Sequence, residues 1–191
     1  TNVDVPKHRG LTVFMVALPS AAYAPPRVLP THEQLDEQFR GLPGVSHVAR
    51  ISGLPLGVSE NVLNFTRPDQ PPPPPGQVPA ALYRVVDEDY FNALGIQLLS
   101  GRVFTAADRQ GSQRVVIISR RMADTFWPGE NPVGRPTQID AEPGIVVGVV
   151  ANVRSQAVAR VADPEMYVPH AQTNLRSMMY VVKSSGTDAQ I

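Results

Sequence analysis

Apolar and polar positions repeat along this chain with two periods, and the changes of period mark its elements. Thr12 to Leu18 is apolar on both faces and predicts a buried strand, stopped by Pro19. Thr31-His-Glu-Gln34 has the form of a capping box, with Thr31 as N-cap, ahead of Leu35, Phe39 and Leu42 at helical spacing. Pro43-Gly44 closes that helix, and Val45 to Ser52 extends again. The N-terminal part therefore predicts a strand-helix-strand unit, right-handed if its strands are parallel. Gly53-Leu-Pro-Leu-Gly57 breaks the pattern, and the chain reads as loop to Pro79, with an edge strand at Val62 to Phe65.

A new block starts at Ala81. Leu82 to Val86 predicts a strand, and Asp87 the N-cap of a short helix carrying Tyr90, Phe91 and Leu94, closed by Gly95. Ile96 to Leu99 and Val115 to Ile118 extend. Ser119 caps a helix with Met122, Ala123 and Phe126 inward, ended before Pro128. Thr137 to Ile139, Ile145 to Val150, Met166 to Val168 and Met178 to Lys183 are the remaining strands, and Thr187-Asp188 looks like the cap of a helix cut short at Ile191. Tyr90, Phe91, Leu94, Phe104, Phe126 and Val147 are the expected core of the middle segment. The fold class is α+β, a mixed α/β chain in two subdomains without a regular repeat.

Composition narrows the function. The 191 residues carry 17 basic and 17 acidic side chains, so no nucleic-acid or anionic-membrane surface is expected. Cysteine is absent, which excludes disulfides and thiolate metal sites. The apolar runs are far shorter than the roughly 20 residues of a membrane helix. No signal-peptide pattern opens the chain, which reads as a segment of a longer protein with membrane connections expected outside both ends. Five of the twenty prolines are consecutive, Pro71 to Pro75, and predict a stiff surface loop.

Candidate chemistry is sparse. A Walker loop, a dinucleotide glycine fingerprint and a nucleophile elbow are all absent. The four histidines, His8, His32, His47 and His170, do not stand at metal-ligand spacing and are expected to be exposed or to cap helices. Asp87, Glu88 and Asp89 could do acid-base work or bind calcium, but at a helix N-terminus acids complement the dipole, and that structural role is the expectation. Arg120-Arg121 reads as a solvated face, Trp127 as a seal between a helix end and the sheet, and Asp108 as the cap of a turn. No catalytic, cofactor-binding or metal-binding residue is assigned.

Several segments in order resemble one family. They are Gly41-Leu-Pro-Gly-Val45, Ser52-Gly-Leu-Pro-Leu56, Asp89-Tyr-Phe91 with Leu94-Gly-Ile96, and Gly101-Arg-Val-Phe104 with Asp108. Phe126-Trp-Pro-Gly-Glu-Asn-Pro-Val-Gly134, Val146-Val-Gly-Val-Val150 with Val153-Arg154, and Pro164-Glu-Met-Tyr-Val-Pro169 continue the series. Together they look like the periplasmic core domain of MacB-like ABC transporter permeases, of the FtsX-like kind. The resemblance implies a porter-like subdomain, residues 1–56 and 164–191, and an inserted sabre-like subdomain, residues 57–163. It implies a periplasmic domain of an inner-membrane protein, held between flanking transmembrane helices. It also implies a non-catalytic role that couples cytoplasmic ATP hydrolysis to periplasmic motion or export. The implied partners are a separate ATP-binding subunit or domain, a second permease copy and a periplasmic adaptor. The alternatives are an extracytoplasmic ligand- or peptide-sensing domain, which needs a concave pocket, and a hydrolase, which needs paired perturbed ionisable groups.

Overall fold

The computed structural model describes residues 3–4, 10–53, 61–154 and 163–185. In chain order these form β1 (Val3–Asp4), β2 (Leu11–Ala17), α1 (Pro25–Arg40), β3 (Val45–Ile51), β4 (Val62–Thr66), β5 (Ala80–Val86) and α2 (Tyr90–Ala93). There follow β6 (Leu98–Gly101), β7 (Val115–Ser119), α3 (Arg120–Phe126), β8 (Pro136–Ile139), β9 (Glu142–Val150), β10 (Val153–Arg154), β11 (Glu165–Pro169), a 3-10 turn at His170–Gln172 and β12 (Ser177–Ser184).

Ten of the strands form one sheet that closes on itself. Starting at β11, neighbours run β7, β9, β8, β4 and β5, and β5 returns to β11 in a parallel pairing from Leu82↔Glu165 to Val86↔Pro169. Closing the ring leaves these six strands without a free edge. A three-stranded extension leaves it where Ile51 of β3 pairs with Val86 of β5. In the extension β12 lies between β3 and β2, antiparallel to both. β2 and β3 are therefore parallel but not adjacent, and the expected strand-helix-strand unit is split by the last strand.

The elements follow the sequence with local departures. β2 is an edge strand with alternating exposure, Val13 at 37% and Met15 at 65%, not a strand buried on both faces. α1 begins at Pro25, six residues before Thr31, with proline in its first turn, where the missing N–H costs nothing. Thr31 therefore lies inside the helix, and its hydroxyl donates to the Arg27 carbonyl at 2.6 Å instead of capping. β4 has two partners, β5 and β8, so it is not an edge strand. The Ser119 cap is as expected: its hydroxyl accepts from the Met122 N–H at 3.2 Å. Pro71 to Pro75 is a largely exposed loop. Leu54 to Gly57, and the helix start at Thr187-Asp188, lie outside the described residues.

Two apolar clusters fill the fold. One holds Phe65, Trp127, Met122, Val146 and Met166 with Val48, Met178 and Tyr180. Phe14 stacks on Tyr180 at 5.6 Å, and Phe39 of α1 meets both rings edge-on. The other cluster holds Tyr90, Phe91, Phe104, Ile117 and Tyr167 with Ala49, Ile51 and Val181. Tyr90, Phe91, Leu94, Phe104 and Val147 meet in this second cluster, whereas Phe126 packs on Phe65 of the first, ring centroids 4.6 Å apart.

Two glycines let β6 lie against β9. A Cβ on Gly148 would stand 2.3 Å from the Arg102 carbonyl oxygen, and one on Gly101 would stand 2.2 Å from that of Val147, with φ already +75°. The Gly-Arg turn and the Val-Val-Gly-Val-Val strand are therefore one packing device. Gly148→Ala forces backbone apart and should destabilise by about 1–3 kcal/mol in urea unfolding, as overpacking does; an unchanged midpoint would refute the close approach. Phe91, 2% exposed among Tyr90, Phe104 and Tyr167, should cost about 3–5 kcal/mol when truncated to Ala, and a variant melting within a degree or two of the parent would refute its core role.

Candidate functional site

The helix α1 presents Val28, His32, Leu35, Asp36 and Phe39 on its inner stripe, and two of these five are polar. They meet Arg50, which points from β3 to the same side as its register partner Tyr180 on β12. Arg50 is 4% exposed, and a buried guanidinium needs anions and acceptors around it. It has them from three chain segments. Its Nη2 lies 3.0 Å from Asp36 Oδ2, its Nη1 donates to His170 Nδ1 at 2.8 Å, and its Nε stands 3.6 Å from Asp87 Oδ2.

Two buried histidines complete the cluster. His32 and His170 meet edge-to-face, ring centroids 5.1 Å apart. His170 Nε2 donates to the Leu175 carbonyl at 2.8 Å, so its Nδ1 is free of a proton and accepts from Arg50. His32 Nε2 donates to the Arg176 carbonyl at 3.2 Å, and its Nδ1 accepts from the Tyr180 hydroxyl at 2.8 Å. Both rings are neutral in this arrangement. The reading of the histidines as exposed or capping thus fails for His32 and His170. His47 is half-buried on β3, and His8 lies outside the described residues.

Asp87 does not cap α2. Its side chain turns inward and its backbone N–H donates to the Arg50 carbonyl at 3.2 Å. Asp89 takes the N-cap position of α2 without a side-chain cap bond and pairs instead with Arg40 of α1 at 2.6 Å. For Asp87 and Asp89 the dipole explanation is therefore replaced by pairing with arginines. Above the cluster opens a cleft of about 240 Å³, floored by Asp36, Arg50, Asp87 and His170 and rimmed by Glu33, Glu37, Arg40, Glu88 and Asp89.

The other singled-out residues pair or pack within the fold. Asp108 accepts from the Thr105 N–H at 2.8 Å and binds Arg102 through both oxygens, at 2.7 and 2.8 Å. Trp127 is 1% exposed and closes the end of α3 beneath Arg67, whose guanidinium carbon lies 4.8 Å from the ring. Arg120 pairs with Asp124 on the exposed face of α3. Arg84 and Glu165, in register-neighbouring parts of β5 and β11, form a second buried ion pair at 3.4 Å, which the sequence reading did not single out. Among the described residues no group of three or more His, Asp or Glu could hold a metal ion.

Burial sets the protonation of the Arg50 cluster. It raises the Asp36 carboxyl to about 6 and the Asp87 carboxyl to about 7, against the pull of Arg50. It lowers His32 to about 4 and His170 to about 3, with Arg50 adding to the effect. The carboxylates bind protons more readily in the folded chain, so their contribution to stability grows as pH falls from about 7 towards 3.8 and is lost as pH rises back through 6 and 7. The histidines bind protons more readily unfolded, so their contribution is full above 6.5 and is lost as pH falls towards 4 and 3. The two effects oppose each other across the same window. Asp87→Asn removes one stabilising uptake, so its stability should fall more steeply on acidification from pH 7 to 4.5, by up to about 1.4 kcal/mol per pH unit for one proton. Urea unfolding at several pH values measures this, and parallel profiles for variant and parent would refute it.

Comparison with known proteins places this geometry. The family described as the MacB-like periplasmic core domain matches residues 6–191. The ABC transporter permease YknZ of Bacillus subtilis is 32% identical over 84 residues, 44% of this chain and 21% of that protein. The macrolide export ATP-binding/permease protein MacB of Neisseria gonorrhoeae is 30% identical over 105 residues, 55% of this chain and 15% of that protein. The matched part is thus about a fifth or less of these relatives. Among solved structures, the periplasmic region of MacB from Actinobacillus actinomycetemcomitans superposes with a TM-score of 0.59 at 17% identity, covering 95% of this chain and 77% of that one. The extracellular domain of YknZ superposes with a TM-score of 0.58 at 17% identity, covering 93% of this chain and 86% of that one. These two likenesses give the fold, α+β as expected. Among the described residues no helix is long and apolar enough to cross a membrane. The chain belongs to the MacB-like periplasmic core domain family, the extracytoplasmic domain of ABC transporter permeases.

Proposed function

We propose that this domain is a non-catalytic coupling element of an ABC transporter permease, which converts cytoplasmic ATP hydrolysis into extracytoplasmic motion or export. The observation that carries the reading is the pairing of an early strand with a late one. β2 and β12 lie side by side, Leu11 opposite Lys183, and the Ser184 N–H donates to the Gly10 carbonyl at 2.7 Å. Such a pairing joins distant parts of the chain in one sheet, as a domain loaded through flanking membrane helices requires. Force entering there reaches the rest of the fold along β12 and β3, and then through Ile51↔Val86 into the closed ring. Close-packed interiors transmit strain instead of absorbing it.

On this reading residues 1–56 and 164–191 are the porter-like part, and residues 57–163 the sabre-like insertion. The Arg50 cluster lies where they meet, since Asp36 and Arg50 come from the first stretch, Asp87 from the insertion and His170 from the last. The further partners are an ATP-binding subunit or domain, a second permease copy, and a periplasmic adaptor. Chemistry would reside in the ATP-binding component.

In the full-length permease, a flexible Gly-Ser segment inserted after Leu18 should uncouple ATP hydrolysis from export. The same segment inserted in the exposed loop Pro71 to Pro75 should leave both intact. Equal effects of the two insertions would count against coupling through the β2–β12 sheet. Loss of export from Arg121→Gln, an exposed change, with folding intact would favour the ligand-sensing alternative.

A further inference from the structure

β4 and β5 are antiparallel neighbours in the closed ring, with Asn64 opposite Ala80. Such a pair needs a connection of only about 2–5 residues. Here it takes thirteen, residues 67–79, with no helix or strand among them. Loops that long are uncommon unless they are disordered or serve a function. This one is held at both ends. The Gln70 N–H donates to the Arg67 carbonyl at 3.0 Å, and the Gln77 N–H donates to the Pro74 carbonyl at 3.0 Å. Pro75 and Gly76, with Gly76 at φ +77°, are the central residues of that second turn, the pattern of a type II turn. Arg67 anchors the first turn to the ring, donating to the Phe126 carbonyl at 2.5 Å and lying over the Trp127 ring.

Between the two turns stand five prolines, Pro71 to Pro75. Proline fixes its own φ and drives the residue before it to extended angles, so the run is a polyproline II rod of about 15 Å. That helix has three residues per turn, so positions three apart share an edge. Exposure follows this period. Pro73 is half-buried, while Pro71 and Pro74 on one edge, and Pro72 and Pro75 on the next, are exposed. The rod lies on the body by its Pro73 edge and turns the other two outwards.

Its chemistry narrows what can dock there. The prolines have no N–H, so the run cannot add a strand to a partner's sheet. It offers apolar ring faces and carbonyl acceptors. The charges beside it are already paired, Arg67 with Asp69 at 3.2 Å and Arg135 with Glu130 at 3.3 Å, so they leave little field to steer a charged partner. Flat apolar faces and donors for carbonyls are what an aromatic-lined groove supplies through Trp and Tyr. A rod already ordered loses little entropy on docking.

We propose that Pro71 to Pro75 is a ligand for the aromatic-lined groove of an extracytoplasmic partner protein, read through its Pro71/Pro74 and Pro72/Pro75 edges. This recognition is independent of coupling between ATP hydrolysis and export.

The test is an NMR titration of the 191-residue chain with three purified domains that read polyproline II, an SH3, a WW and an EVH1 domain. At least one should give saturable shifts centred on the Gln70, Gly76, Gln77 and Val78 amides, which flank the run. Replacing that domain's groove tryptophan by Ala should weaken binding at least about tenfold. Pro71→Ala with Pro74→Ala removes one outward edge and should weaken it by about tenfold, whereas Pro73→Ala, on the inward edge, should change it by less than about twofold. The Trp127 indole resonance, unchanged, reports that the ring is intact in each variant. Binding by none of the three domains, binding indifferent to the groove tryptophan, shifts centred elsewhere, or an equal loss from Pro73→Ala and the outward pair would overturn the proposal and leave the run a spacer.

Discussion

A guanidinium buried in β3 is the constraint on which much of this fold depends. Arg50 cannot be left unpaired in an apolar interior, where breaking a buried pair typically costs about 3–5 kcal/mol. Its partners therefore have to arrive together: Asp36 from α1, Asp87 from the end of β5, and His170 from the turn after β11. Each contact is local, but the set fixes how the helix, the extension and the ring are oriented. The cluster is costly in other respects, since two carboxylates share one cation, and that tension leaves the cleft above it acidic.

The same cluster shows how opposite perturbations offset one another. Burial makes the carboxyl groups hold protons longer and the imidazoles shed them sooner. Where the unfolded chain would protonate two histidines, the folded chain protonates two aspartates. Stability can thus stay nearly level over mildly acidic conditions, although both carboxyls and both imidazoles are strongly shifted. A compartment whose acidity follows the surroundings is a setting in which such levelling matters.

Much of the architecture was legible in the sequence, and the exceptions have physical reasons. Ser119 and Gly95 mark helix ends by local chemistry, and the apolar runs mark β7, β9 and β12, so those elements could be placed from neighbours alone. The start of α1 is masked in the sequence because Thr31 is the right residue for a cap, while the helix begins at Pro25 after an extended Ala24. β2 looked buried because its outer residues, Val13 and Met15, are apolar although exposed. The Arg50 cluster was missed since its members are far apart in the chain and each has an ordinary surface role. A signal was present: His32 and Asp36 share the helical stripe of Leu35 and Phe39, and Arg50 interrupts the run Val48 to Ile51. A polar residue on an apolar stripe is a buried residue in search of a partner, and reading all three that way would have linked them.

The placement of β12 between β2 and β3 has a consequence for biosynthesis. β2 (Leu11–Ala17) is made long before β12 (Ser177–Ser184), its one strand partner among the described residues. Until then a charge-free strand of Leu, Thr, Val, Phe, Met, Val and Ala has nowhere to pair. Contacts so distant in sequence make folding slow, and an open apolar strand can be captured by the wrong chain meanwhile. The extension is thus complete only once β12 is made. The nascent chain has to be kept from its neighbours, by chaperones or by the geometry of its delivery, for the time taken to make everything between β2 and β12.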